Sequence, residues 1–465
     1  MCSRMILSWL GSTLIWVCAG LGALSAELPV QWLSPTETAL VGTFSRGPFN
    51  VPILVDRAKF QADFAASTGS GSVAEIQVGQ FFEQGGTKLF LVRIRTAPSL
   101  TLPLIGDAEN LSGIHALTPL SNLRLILVPE LSELPTPEFD EAFAALRAFL
   151  VPRGIFLILD PPSGLSSVPQ IQNWVGSRVP LDSGFCAIYF PYLRVRFGKA
   201  DLDIGASGRM AAIYAQSDSE LAIWKTPGGT RYPLLVPDVT PVLTSGQADA
   251  LTAAHINPIR SFPGRGILAF GARVLNRADP EELYISIRRT RDWITASLTR
   301  RLSFSATREN AFALRSELRA LTEEFFTDLW RSGALVGDRL SDAFFVRCDA
   351  STTSETDLAA HRVTVLYGLA FTRPAEFLVR ELKLGTLDPS RALPEVRLRL
   401  IPAGRELQIA FPLLPGFNYI LESRGVLGTE NWKVVDGPRA GDGSWLRTAV
   451  TPLDAQEYFL VRVVQ

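Results

Sequence analysis

Short apolar runs alternate with amphipathic stretches through most of the chain, and that alternation sets the predicted elements. Residues 39–43 (ALVGT) read as a buried strand, and Arg46-Gly47-Pro48 turns the chain. Residues 52–55 then lead into an amphipathic helix with Phe60 and Phe64 four apart, which places both on one face. A second helix is predicted over Val73–Glu83, with Ile76, Phe81 and Phe82 apolar, closing on Gly85-Gly86. Residues 88–93 form a strand. The middle continues the alternation: strand 123–128, helix 137–150, strand 154–159 ending at Asp160-Pro161-Pro162, helix 170–175, strand 185–190. Apolar strands separated by helices predict an α/β layer with mainly parallel strands.

Residues 283–302 and 308–331 read as long helices, the second bearing Phe312, Leu318, Leu321, Phe325 and Leu329. Strands follow at 363–371 and 375–382. Composition shifts at 383–394, and 395–465 reads as short alternating strands split by Pro-Gly, Gly-Pro and Gly-Asp-Gly turns, a small β-sandwich pattern. The chain thus divides into an apolar leader (1–26), an N-terminal and middle α/β region (27–200), a C-terminal α/β domain (201–384), a linker (385–394) and a β-sandwich module (395–465).

The leader carries Arg4, an apolar run over 6–24, and Ser25-Ala26 before Glu27. It has the form of a secretory signal, or of translated upstream sequence before a later start. Beyond it no run approaches the ~20 apolar residues of a membrane span. With 465 residues and a net charge of -1, there is room for two or three domains but no excess of cations to displace counterions, so composition argues against nucleic-acid binding. Cys186 and Cys348 stand far apart, without CxxC spacing, and read as buried thiols.

Candidate chemistry is sparse. His115, His255 and His361 stand alone, without metal-ligand spacing. Gly205-Ala206-Ser207-Gly208 lacks the spacing of a nucleophile elbow, and the glycines at 69–72 and 85–86 lack a Walker lysine. Asp201 and Asp203 read as a pair able to hold a cation or as solvated loop carboxylates. Arg288, Arg289, Arg291, Arg300 and Arg301 flank a helix with Trp293 and Ile294; they read as a solvated rim or as a face for acidic surface on a neighbouring subunit. No cofactor is expected.

The densest signal is catalytically silent. Residues 257–274 (NPIRSFPGRGILAFGARV) are two apolar strand-like runs around a Pro-Gly-Arg-Gly turn, where glycine permits angles other residues resist. Upstream lies GRMAAIYAQSDSELAIWKTPGG (208–229); downstream lie DLWRSGAL (328–335), FVRCD (345–349) and RPAEFLV (373–379). With VGTFSRGPFNVPILV (41–55), QFFEQGGTKLFLVRI (80–94), FLILDPP (156–162) and CAIYFPYLRV (186–195), the ordered set resembles the sheath proteins of contractile phage tails and related injection machines. The module, through its Tyr-x-Leu-Glu-Ser strand (419–423) and closing aromatic strand, resembles β-rich C-terminal modules of exported bacterial proteins.

The resemblance covers roughly residues 39–382. It implies an α/β (mixed α+β sheet) sheath-protein core, followed here by the all-β sandwich module, and a structural subunit rather than an enzyme. Its implied partners are sheath neighbours in a homo-oligomer, an inner tube protein and baseplate components, with hexameric rings stacked around the tube. Neighbours in that family are linked by terminal arms that add strands to an adjacent sheet, each hydrogen bond contributing only ~1 kcal/mol net. The leader and residues 27–35 stand where sheath proteins carry an arm motif, and the chain continues past RPAEFLV where most end. Sheath relatives reside in the cytoplasm or the virion tail, whereas the leader points to export. Candidate assembly or structural residues are Trp224, Lys225, Arg260, Pro263, Gly264, Arg265, Gly266, Trp330, Arg347, Arg288 and Arg289. The rival reading is an exported, non-contractile surface or binding protein on the same scaffold.

Overall fold

The largest sheet is built from segments so uniformly apolar that both of its faces must be covered. In a computed structural model of the chain, which describes residues 37–66, 71–97, 99–180, 182–278, 280–388, 396, 399–403, 406–424, 433–450 and 458–464, it has eight strands. Their order is β12 (Gly266–Ala269), β11 (Asn257–Phe262), β7 (Cys186–Phe190), β5 (Phe156–Leu159), β4 (Leu125–Leu127), β1 (Thr38–Gly42), β3 (Leu89–Arg93) and β2 (Ile53–Val55). The six strands from β11 to β3 run parallel to one another, while β12 and β2 close the two edges antiparallel. The parallel layer predicted from the alternation is therefore present. It does not stop at residue 200, because β11 and β12 complete it.

Alternate residues of each strand feed two cores. On one face Ala39, Val41, Ile126, Leu157 and Ile188 meet α3 (Thr101–Ile105), α4 (Thr136–Leu150), α5 (Val168–Arg178) and α7 (Ser245–Ala253). On the other, Leu40, Leu125, Leu127, Phe156, Ile158 and Tyr189 meet α1 (Arg57–Asp63), α2 (Val73–Glu83) and α6 (Ser207–Glu220). Helix starts follow local chemistry: the Ser72 side chain accepts from Glu75 N–H, and Ser167/Gln170 and Thr244/Gln247 form capping boxes. Beside this layer β6 (Asp182–Ser183) pairs with β13 (Leu275–Asn276). The strands β10 (Asp238–Thr240), β8 (Tyr192–Phe197) and β9 (Ala200–Ile204) make a small sheet.

A third core lies between α8 (Ile285–Arg301), α9 (Phe312–Arg331) and the antiparallel sheet β14 (Phe344–Arg347), β15 (Arg362–Leu369) and β16 (Leu378–Gly385), with α10 (Leu340–Ala343) and α11 (Glu355–Ala359) at its margins. Among the predicted boundaries that move, two do so for a visible reason. The helix predicted from 308 begins at Phe312, because Asn310 Nδ2 donates to the Arg362 carbonyl and its Oδ1 accepts from Arg315 instead of continuing the helix. The strand predicted from 375 begins at Leu378, because Ala375 has φ 59° and donates its N–H to the Asp342 carbonyl. Cys186 and Cys348 are buried free thiols, as their isolation in the sequence indicates.

The C-terminal part holds two three-stranded antiparallel sheets: β17 (Arg399–Ala403), β18 (Glu406–Pro412) and β21 (Trp445–Val450), and β20 (Lys433–Ala440), β19 (Asn418–Arg424) and β22 (Tyr458–Val464). Ile409 and Phe411 of one and Tyr419 and Leu421 of the other share a buried cluster. It sits against the core: Arg300 Nε donates to Asp442 at 3.0 Å, and Arg447 donates to the Pro52 carbonyl at 3.4 Å. The leader, residues 27–36 and most of the linker lie outside the described residues. No described helix is long and apolar enough to cross a membrane.

Helices α2 and α6 approach each other closely. A Cβ on Gly208 would stand 2.1 Å from the Gln77 carbonyl oxygen, whereas one on Gly79 would meet nothing within 4 Å. Gly208→Ala is expected to cost about 1–3 kcal/mol by forcing the helices apart. Gly79→Ala, in the same helix pair, should gain about 0.5–1 kcal/mol. Urea unfolding of the two variants checks both signs.

Candidate functional site

In an open parallel sheet, ligands bind beyond the carboxyl ends of the strands where the strand order reverses. Here the parallel order β3-β1-β4-β5-β7 reverses between β1 and β4. That position is filled by the chain itself. Glu130, just past β4, accepts from Thr43 N–H at 3.0 Å and from Thr43 Oγ1 at 2.8 Å, just past β1. A Cβ on Gly42 would lie 2.5 Å from Ala74 Cβ and 2.8 Å from Glu130 Oε2. Ser72 Oγ donates to the Thr43 carbonyl, and the buried Glu75 accepts from Ser45 N–H at 2.6 Å. Burial pushes the Glu130 carboxyl up, against the pull of its Thr43 hydrogen bonds.

One strand further, Asp160 does the same for α6. Its Oδ1 accepts from Ser207 N–H at 2.8 Å, its Oδ2 accepts from Ser207 Oγ, and Gln77 Nε2 reaches it at 3.2 Å. It is thus the Asp160 carboxylate that caps the start of α6, and the Ser207 hydroxyl spends its hydrogen on that carboxylate. Burial pushes the Asp160 carboxyl up to about 7, with Glu133 adding to the rise and the Ser207 hydrogen bonds opposing it. Arg209, 4 % exposed, bonds Gln80 at 2.6 Å and Glu83 at 2.7 Å, joining α6 to α2. Apart from Glu130 Oε2, which is buried without a hydrogen-bond partner, these polar groups are satisfied by each other. Among the described residues no three His, Cys, Asp or Glu side chains gather as metal ligands.

The basic cluster on α8 is not where the sequence reading put it. Arg288 and Arg289 are 7 % and 3 % exposed, so they form neither a solvated rim nor a face for another subunit. Arg289 makes a two-pronged pair with Asp218 of α6, one prong at 2.9 Å, and lies 4.8 Å over the Tyr214 ring. Tyr214 in turn bonds the Tyr189 hydroxyl at 2.8 Å. Burial works against the Arg289 charge, but Asp218, with the two tyrosines, more than restores it, so the guanidinium holds its proton more tightly than usual. Arg288 bonds Asp292 at 2.8 Å and Glu282 at 3.2 Å; Arg291 and Arg380 also converge on Glu282. Arg380 comes from β16, so this network binds α8 to the C-terminal sheet. Together the two ionic groups join the α/β layer to the C-terminal core.

The other candidates divide by exposure. Pro263, Gly264, Arg265 and Gly266 form the exposed tip of the β11–β12 hairpin, with φ 73° at Gly264 and 82° at Gly266, angles that require glycine. Arg260 lies 5.0 Å over the Phe262 ring and donates to Ser245 Oγ at 3.0 Å. Buried Asn257 anchors the hairpin, donating to the Ile188 and Arg273 carbonyls and accepting from Arg273 N–H. Lys225 and Arg347 are exposed, the latter on Ser351 at 3.1 Å. Trp224 and Trp330 are half-buried against the C-terminal core, and Trp330 Nε1 donates to the Gly337 carbonyl at 2.9 Å. Asp201 and Asp203 are not loop carboxylates. They lie on β9 and pair across the hairpin with Arg196 and Arg194, at 2.9 and 3.0 Å.

No family model matches the chain, and no curated protein matches it by sequence. Solved structures do. The helical sheath of the anti-feeding prophage in its contracted state superimposes with a TM-score of 0.61 at 22% identity, over 80% of this chain and 99% of that one. The contracted sheath of the extracellular injection system PVC gives 0.57 at 21% identity, over 81% and 98%. A sheath tail protein of Listeria innocua gives 0.52 at 10% identity, over 75% and 95%. The chain therefore has the contractile-sheath fold, and these neighbours are structural proteins rather than enzymes.

Two outcomes follow from the buried charges. Arg289→Met leaves Asp218 uncompensated and is expected to cost about 3–5 kcal/mol in chemical denaturation, while Arg289→Met with Asp218→Leu should recover most of it. For Asp160 the folded pKa is raised, so its contribution is fully present below the unfolded carboxyl value and is lost as pH rises through about 7. Asp160→Asn should therefore flatten the decline in stability between about pH 4 and pH 7. Urea midpoints across that range report it.

Proposed function

We propose that this chain is a structural subunit of a contractile sheath. Copies stack as hexameric rings around an inner tube, contact baseplate components at one end, and contract to drive the tube through a target envelope. The observation that supports this most is extent: the match takes in nearly the whole length of the sheath chains, 98–99% of the anti-feeding prophage and PVC proteins. Helical stacking requires a heterologous contact, one patch meeting a different patch on the next copy. The exposed hairpin tip at Pro263, Gly264, Arg265 and Gly266, with Lys225 and Arg347, is the part of the candidate set available for it. Arg288 and Arg289 hold the subunit together instead, as a body able to turn as one piece during contraction. In this reading the last two sheets are a sandwich module carried on that body, after a linker at 385–394.

A second reading is favoured by the leader at 1–26 and by the module: an exported, non-contractile surface protein on the same scaffold. Two measurements separate them. Negative-stain electron microscopy of purified residues 27–465 at high concentration should show rings or striated tubes; strictly monomeric particles would defeat the sheath role. Cell fractionation with N-terminal sequencing should find the leader intact in the cytoplasm for a sheath, and removed from an exported product for the rival.

A further inference from the structure

Where the α/β layer, helix α8 and the C-terminal sheets meet, a crevice of about 270 Å³ opens. Three guanidinium groups line it: Arg124 at the start of β4, Arg153 in the turn after α4, and Arg300 on α8. Two carboxylates line it as well, and both are already engaged. Asp292 is taken by Arg288 and Arg291, and Asp442 by Arg300 and by the Ser444 N–H. Among the described residues, neither Arg124 nor Arg153 has a carboxylate at ion-pairing distance. Glu37 and Asp292 act on Arg124 only from farther away, and Arg300 opposes them.

Arg124 is the unusual member. It is 5 % exposed, its Nη1 donates to the Leu123 carbonyl at 2.6 Å, and its Nε has no hydrogen-bond partner. A buried guanidinium without an anion is unfavourable, because desolvation is not offset by pairing. Burial pushes its pKa down to about 10, which still leaves it charged at neutral pH. Arg153, stacked 4.1 Å over Phe149, offers a second cation from the rim. Planar guanidinium forks suit tetrahedral oxyanions, and low polarity strengthens the attraction.

We propose that this crevice binds a small oxyanion of the phosphate class, free phosphate or the end of a small phosphomonoester, held by Arg124 and Arg153. Such a ligand touches the α/β layer, α8 and the C-terminal sheets at once, so it stabilises their docked arrangement by mass action. The site stands apart from the sheath role, since binding is read on the isolated chain whatever its assembly.

The test is isothermal titration of phosphate, and separately of glycerol 3-phosphate, into the full chain, with chloride at matched ionic strength as the blank. Saturable one-site binding is expected. Arg153→Gln, at an exposed position, should weaken it about threefold, and Arg124→Met tenfold or more, as losses of one charge-assisted contact each. Arg147→Gln, outside the crevice, should leave it unchanged. Circular dichroism confirms folding, and if Arg124→Met fails to fold, Arg153→Gln alone decides. Phosphate binding without glycerol 3-phosphate binding assigns the site to the free ion, and binding of both admits a monoester. Heats no different from chloride, or undiminished binding in the folded variants, would overturn the proposal.

Discussion

Everything else in this molecule is arranged around two charges that water cannot reach. Asp218 and Arg289 have side chains only 1% and 2% exposed, and they join a helix of the α/β layer to a helix of the C-terminal core. Taking such ions out of water costs several kcal/mol each, and a well-packed apolar pair of equal volume would commonly be as stable. What an apolar pair lacks is direction. A two-pronged guanidinium–carboxylate contact admits one relative orientation, and the stacked Tyr214 ring and the Tyr189 hydroxyl behind it fix that orientation against the sheet. The Glu282 network repeats the device on the opposite side of α8, where arginines from α8 and β16 share one carboxylate. A joint made this way resists sliding more than it adds stability.

The same economy applies to the crevice where open α/β sheets bind ligands. Doubly wound sheets leave a gap where their strand order reverses, and here Gly42, Thr43, Ser72 and Glu130 close it. Glu130 and Asp160 stand at the carboxyl ends of neighbouring strands and accept from backbone N–H groups that would otherwise be free to hold a substrate anion. Catalysis needs an acid or base with space beside it. Here both Asp160 oxygens and one Glu130 oxygen are taken by the chain's own donors.

Much of this architecture is legible in the sequence, because its determinants are local. The runs at 125–127, 156–159 and 186–190 are apolar at every position, and continuous burial on both faces is the mark of a parallel layer. The hairpin at 257–269 announces itself through glycines that only a tight turn requires. The ionic joint is not legible, because its halves are far apart in the chain. Asp218 precedes Arg289 by 71 residues, and nothing near Arg289 distinguishes it from the solvated arginines of any amphipathic helix. Arg288 differs, since its partners Glu282 and Asp292 lie within six residues and only its burial is hidden from the sequence; Asp201 and Asp203 find their partners across a hairpin. A signal did exist for Asp160: an acidic residue closing a wholly apolar strand, before two prolines, has few partners except a helix start. For the module, alternation and turns give the strands; the Arg300–Asp442 contact that seats it spans 142 positions and leaves no local trace.

That seating decides how freely the C-terminal sheets could move relative to the core. A module hung from a flexible linker would sweep out space between neighbouring subunits and obstruct packing. One fixed to its own subunit adds only a constant bulge. The contacts at Asp442, at Arg447 on the Pro52 carbonyl, and at Gly416, where a Cβ would stand 3.2 Å from the Ala306 carbonyl oxygen, reach both the α/β layer and the helical core. The module therefore spans the same boundary as the ionic joint and braces it from outside. Exposed ion pairs are individually weak, so the brace depends on several contacts acting at once. That arrangement fixes the C-terminal sheets to the rest of the chain at several points, with no single contact serving as a hinge.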